Sequence, residues 1–274
     1  MRRWNPTHRG VWMKPKGFAK PDSLVAELLL ELASSDRRRI FAELGRTSLK
    51  LNEITKRLDM TPTEAFRQIH RLTEARLLDK ATDGRYSLTS YAKLVLTTTS
   101  PLEFIFRFRD YFLEHDATLI PSEFRSRFGE LSSARAIPSA METLNYVTEL
   151  LRNARAFIDG TVELGFDLHQ RLMLERLTEG VQVRWLVQES FLPTLRTMFR
   201  GSGKAPEVRL IPQLSGHIYL TENGGAFALR RNDGKMTYES FVGEDQGFKK
   251  WVSDWFTCEW LRAKPWPERI ASES

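Results

Sequence analysis

TPTEAFRQIHRLTEAR, residues 61–76, decides the reading of this chain. Thr61 followed by Glu64 has the form of a reciprocal helix cap. The threonine hydroxyl accepts from the Glu64 N–H, and the glutamate reaches back to the Thr61 N–H. Pro62 falls on the first helical position, where its missing N–H leaves nothing unpaired. On a helix, Ala65, Ile69 and Leu72 share one face. Thr63, Arg67 and His70 fall on the opposite face, with Phe66 and Arg71 flanking. A polar and basic face of this kind suits a helix entering a DNA major groove, about 12 Å wide. Arg67 is placed to meet guanine O6 and N7, and Thr63 and His70 to reach base edges or phosphates.

Working outward, LNEITKRL at 51–58 reads as the preceding helix, with Asp59-Met60 as the turn between them. Upstream, residues 23–35 form an amphipathic helix. Asp36 caps a second, Arg37 to Leu44, whose apolar side is Ile40, Phe41 and Leu44. Downstream, two strands flank Asp83-Gly84, the strongest hairpin signal in the chain. Arg85 beside that turn is expected on the wing, against the DNA backbone or minor groove. Three helices, a tight turn and a hairpin give a winged helix-turn-helix over residues 23–98.

Charge is placed unevenly. Residues 1–98 hold nineteen Lys/Arg against eleven Asp/Glu, a net +8, whereas the whole chain carries +6. A basic module on a near-neutral body is the footprint of polyanion binding. Residues 1–22 read as a basic arm, with six Lys/Arg and no acid before Asp22, and with Trp4, Trp12 and Phe18 interspersed. The single cysteine, Cys258, excludes an internal disulfide framework. No apolar run is long enough to span a membrane, and the N-terminus lacks a secretory pattern, so the expected compartment is the cytoplasm.

Residues 99–153 read as a helical linker and dimerisation region. Its segment PLEFIFRFRDYFLEH, 101–115, carries more apolar surface than a small winged helix can cover. From 154 to 265 strands alternate with helices, which argues for an α/β domain. Residues 266–274 are a tail. Trp251 and Trp255, four apart near the C-terminus, read as core or dimer interface.

Several segments resemble archaeal winged-helix transcriptional regulators related to the methanogenesis and filamentation regulators. They are ASSDRRRIFAEL (33–44), residues 51–78, GRYSLT (84–89), FRDYFLEHD (108–116), IPSEF (120–124), GEL (129–131), VRWLV (183–187) and FKKWVSDWF (248–256). The resemblance implies a homodimer that binds double-stranded DNA. It also implies an effector domain similar to the phospholipase D fold, akin to TrmB-type regulators, that senses a small molecule or a partner. The phospholipase signature has a histidine, a lysine two residues on and an aspartate five further. The stretch HIYLTENG, 217–224, keeps His217 but has Tyr219 for the lysine and Gly224 for the aspartate. Without that cation and acid, phosphoryl stabilisation is largely lost. The expected fold is therefore α+β, a winged helix followed by a catalytically degenerate phospholipase D-like α/β domain.

Other chemistry is weaker still. Gly201-Ser202-Gly203-Lys204 lacks the first glycine and the final hydroxyl of a phosphate loop, and reads as a basic loop. The five histidines have no metal-ligand spacing. These absences lead to an expectation of no enzymatic activity, no cofactor and no metal. Trp185, His217 and Tyr219 are the candidate ligand-binding residues. The rival readings are a winged-helix protein–protein adaptor and a phospholipase D-like phosphodiesterase.

Overall fold

The computed structural model describes residues 21–163, 167–199 and 205–266. The basic arm before Pro21, the basic loop Gly201–Lys204 and the tail after Trp266 lie outside the described residues. The chain divides into two compact units, Met1–Thr97 and Thr98–Ser274.

The first unit begins with α1 (Pro21–Ala33) and α2 (Ser35–Arg46). Ser34, not Asp36, caps α2, its hydroxyl accepting from the Arg37 N–H at 3.5 Å. Then come α3 (Leu51–Leu58) and α4 (Pro62–Glu74). The α3–α4 turn is tight because Asp59 takes the left-handed conformation, φ 50°, which a short polar side chain tolerates better than a branched one. Strands β1 (Leu78–Lys80) and β2 (Tyr86–Leu88) pair antiparallel, and Gly84 supplies the positive φ, +82°, of their turn. Leu49, between α2 and α3, bridges Tyr86 through both backbone bonds, at 2.8 and 3.1 Å.

Ile40, Phe41, Leu44, Ile54, Leu58, Ala65, Ile69 and Leu72 meet in one core under the hairpin residues Leu77, Tyr86 and Leu88. The expected apolar faces are therefore the buried ones. Arg37 is buried as well. It donates to the carbonyls of Leu30 and Glu31 and to the Gln68 side-chain oxygen at 2.9 Å, tying α1 and α4 to α2.

Helix α5 spans Ser90–Arg107. It is followed by α6 (Arg109–Glu114), α7 (Ser122–Arg125), β3 (Arg135–Ile137), α8 (Ala140–Asn153) and β4 (Phe157–Val162). Next are α9 (Asp167–Thr178), β5 (Gln182–Gln188), α10 (Leu192–Phe199), β6 (Glu207–Ile211) and β7 (Gly216–Thr221). The chain closes with β8 (Gly225–Leu229), β9 (Ser240–Gly243), α11 (Gln246–Arg262) and β10 (Lys264–Pro265).

The eight strands form one mixed sheet, ordered β10-β6-β5-β4-β7-β8-β9-β3. Only β4, β5 and β6 run parallel. Alternation along β5 sorts the faces: Val183, Trp185 and Val187 join Val147 and Leu151 of α8 and Met173 of α9, whereas Leu186 points to α11. Trp251 and Trp255 are fully buried against Phe227, and the Trp251 indole donates to the Phe124 carbonyl at 3.0 Å. They are core residues of this unit.

Residues 99–153 correct the expected organisation. They are not a separate linker: β3 pairs with β9, α8 covers the sheet, and Phe104, Ile120, Phe124 and Phe128 enter the α11 core. Within the helical region, the aromatic segment 101–115 is not one helix but breaks at Phe108, between α5 and α6. Phe104, Phe108, Tyr111 and Phe112 all pack around Phe241. Most of the aromatic surface assigned to dimerisation is thus inside the unit, leaving Leu102, Phe106 and Leu113 as its well-exposed apolar side chains.

Candidate functional sites

Helix α4 is held rigidly from below. Its inner residues Ala65, Ile69 and Leu72 are almost wholly buried, and its N-terminus is capped by Thr61, whose hydroxyl accepts from the Glu64 N–H at 3.2 Å. Thr63, Phe66, Arg67, His70 and Arg71 are all exposed. Thr63, Phe66 and His70 follow one another at spacings of three and four, so they make a stripe with Arg67 beside it. The Phe66 and His70 rings lie 6.0 Å apart, and His70 Nδ1 is 3.3 Å from Glu74. Among the described residues no hydrogen-bonding or ion-pair partner is recorded for Arg67.

Two cations expected at the same surface are otherwise engaged. Arg71 makes a 2.6 Å ion pair with Glu31 of α1, which together with Glu31's hydrogen bond raises its pKa. Arg85 donates to the Ser48 carbonyl at 2.9 Å and to Glu53 at 3.1 Å, and lies 3.6 Å from Asp83. Arg85 thus stands beside the hairpin turn, as expected of its position, with its guanidinium ion-paired. Glu53 serves twice, accepting the Lys50 N–H at 2.7 Å as well, and these contacts hold its carboxyl below the usual range, the Lys50 bond most of all.

The electrostatic argument also shifts. Six of the nineteen cations in residues 1–98 belong to positions 1–20, which contain no acid, so residues 21–98 carry only +2.

In the second unit, Trp185 is fully buried in the sheet core, which corrects the expected ligand contact to packing. His217 and Tyr219 do come together. With Thr143 and His169 from the helical side and Tyr238 and Ser240 beyond them, they line a cavity of about 10 Å³, room for roughly one water. His217 stacks on Tyr238 at 5.3 Å. Its Nδ1 faces the Thr161 hydroxyl at 3.4 Å, and its Nε2 is buried with no partner among the described residues. Burial, then the nearby Arg230 charge, push the His217 pKa down to about 4. Burial pushes the Tyr219 hydroxyl well above the usual phenol range, with Tyr238 adding to it.

The neighbouring Arg230 is the charged centre that pattern reading missed. It pairs with Glu163, just past the end of β4, at 2.7 Å, and donates to Gln188 at the end of β5 at 3.0 Å. Its remaining donors go to the Leu214 and Gly234 carbonyls. Glu163 Oε2 is buried without a partner among the described residues. Polar groups thus converge at the carboxyl ends of β4 and β5, where open α/β sheets hold ligands.

No family model matches this chain, and no curated protein matches it. TrmBL2, an archaeal chromatin protein described as showing a novel mode of DNA binding, is 15% identical. That match covers 90% of this chain and 100% of TrmBL2, with a TM-score of 0.38. NucT from Helicobacter pylori is 12% identical over 48% of this chain and 97% of its own, with a TM-score of 0.36. An O-methyltransferase family protein from Burkholderia thailandensis is 17% identical over 70% of this chain and 62% of its own, with a TM-score of 0.27. Further methyltransferases recur with it. All are too distant to assign an activity. The expectation that the chain is no enzyme is withdrawn: several of these neighbours are enzymes, and missing phospholipase, phosphate-loop and metal signatures speak to those chemistries alone. The phospholipase D-like character expected of the sheet draws no support from these likenesses. No described helix is long and apolar enough to cross a membrane.

Proposed function

We propose that this chain is a DNA-binding transcriptional regulator, with α2–α4 and the β1–β2 hairpin acting as a winged helix-turn-helix. The observation that carries the reading is the outer stripe of α4. It combines Thr63, Phe66, Arg67 and His70 on a capped helix whose opposite face is locked in the core. Arg67 is the exposed cation there without an ion pair among the described residues, so its guanidinium is available to pair with a guanine edge. Arg71 and Arg85, held by Glu31 and Glu53, belong to the scaffold instead. In this reading the protein acts as a homodimer.

The test is selection of bound duplexes from a random pool by the full chain, followed by titration of the winning sequence. Arg67→Ala is expected to weaken that duplex by about 5- to 150-fold and to relax preference at one base pair. Enrichment of no sequence would leave the adaptor reading standing.

Deleting residues 1–20 is expected to act differently. Those six cations neutralise phosphates and release counterions without reading bases. The dependence of affinity on salt should become shallower, while the ratio of selected to random duplex stays the same. An unchanged salt slope would show that the arm does not touch DNA.

A further inference from the structure

We infer that Phe66 reads the 5-methyl group of a thymine, so that the site recognised by α4 contains an obligatory T beside the base pair met by Arg67. The inference rests on the DNA-binding reading and adds a specificity determinant to it. Phe66 is 54% exposed, and it stands in the middle of the stripe, between Thr63 and His70. Among the described residues of the first unit, every other exposed large apolar side chain belongs to α1 or α5: Leu24, Val25, Leu29 and Leu30 on the one, Tyr91 and Leu94 on the other. Phe66 is therefore the one exposed large apolar side chain of α4.

A lone aromatic ring among a threonine, an arginine and a histidine does not suit a protein-binding hot spot, which needs a surrounding apolar seal to exclude water. It does suit a major groove. The groove floor is polar except for the thymine methyl, the apolar feature that distinguishes T from C there. The ring is not needed at home either, because the core beneath is closed by Ala65, Ile69 and Leu72, all nearly fully buried. Its recorded ring neighbour is His70, at 6.0 Å and tilted by 44°, which supports one side and leaves the rest of the ring open. Arg67, adjacent in sequence and 100° round the helix, reaches the neighbouring base pair.

The experiment uses the full chain and two random duplex pools, one made with thymine and one with deoxyuridine throughout, which differ by that methyl alone. The wild type is expected to enrich a motif from the thymine pool. Replacing its contacted thymine by deoxyuridine should weaken binding about four-fold, the burial of one methyl group. Phe66→Ala should bind the two duplexes equally, and Phe66→Leu, which keeps apolar contact, should retain part of the difference. An enriched motif in which no thymine-to-deoxyuridine exchange matters overturns the Phe66 assignment alone. So does a Phe66→Ala variant that still distinguishes the two. No enrichment from either pool overturns both this inference and the DNA-binding reading beneath it.

Discussion

Replacing Arg230 by methionine is expected to lower the stability of the sheet unit by about 3–5 kcal/mol, as is usual when one partner of a buried ion pair is removed. The side chains of Arg230 and Glu163 are only 6% and 13% exposed. Methionine matches much of the arginine stem, so the loss is chiefly electrostatic. Glu163 would keep a buried carboxylate with no cation, and the Leu214 and Gly234 carbonyls would lose their donors. Denaturant unfolding followed by tryptophan fluorescence reads this unit selectively. Five of the seven tryptophans lie in it, the other two being Trp4 and Trp12 in the arm. Adding Glu163→Gln to Arg230→Met separates the contributions. Recovery of about half the loss assigns it to the stranded charge, and no recovery assigns it to the carbonyls. A loss under about 1 kcal/mol for the single variant would mean that water reaches the pair.

That cluster marks where sequence reading stopped. Local signals were readable because local chemistry sets them. The Thr61 cap, Pro62 at the helix start, the Asp83-Gly84 turn and the inward face of α4 each depend on residues within one or two turns. Of the α4 stripe, Thr63, Phe66, Arg67 and His70 were identifiable from periodicity alone. What stayed hidden was pairing over distance. Arg85 looks like a wing cation until Glu53, 32 residues earlier, is folded against it. Arg71 looks like a contact residue until Glu31, 40 residues earlier, arrives from α1. Arg230 meets Gln188 from 42 residues away.

The same limit misplaced the start of the sheet unit. β3 is three residues long and pairs with a strand about a hundred positions later, too short to show alternation. The break at Phe108 was hidden because the aromatic residues on both sides of it point into one core, so their spacing mimics a continuous helix. β9 is likewise short, spanning only Ser240–Gly243, because Gly234 and the turn around it take the residues before.

The acid limb of the stability curve should carry the signature of His217. In the unfolded chain its imidazole takes up a proton below about 6.5, whereas in the folded chain burial and Arg230 keep it neutral until about 4. Between those values the unfolded state binds the extra proton. Stability therefore rises with pH across the window and is lost as pH falls from 6.5 to 4, by about 3 kcal/mol from this group. His169 is lowered by burial in the same direction, so the wild-type slope is the sum of both. His217→Gln isolates the larger share: its stability, measured by denaturant at pH 7 and at pH 4.5, should differ by less than the wild type's. An undiminished difference would show that His217 is hydrated in the folded chain. Arg230→Met combined with Glu163→Gln adds an independent check, because it removes the second cause of the depression without stranding the Glu163 carboxylate. In that background the folded-state pKa of His217 should climb toward its ordinary value. The acid loss then ends above pH 4 and is smaller, even though the variant starts out less stable. A separation of that kind, lower stability with a flatter acid limb, is what an electrostatic link between Arg230 and His217 requires, and loosened packing alone does not produce it.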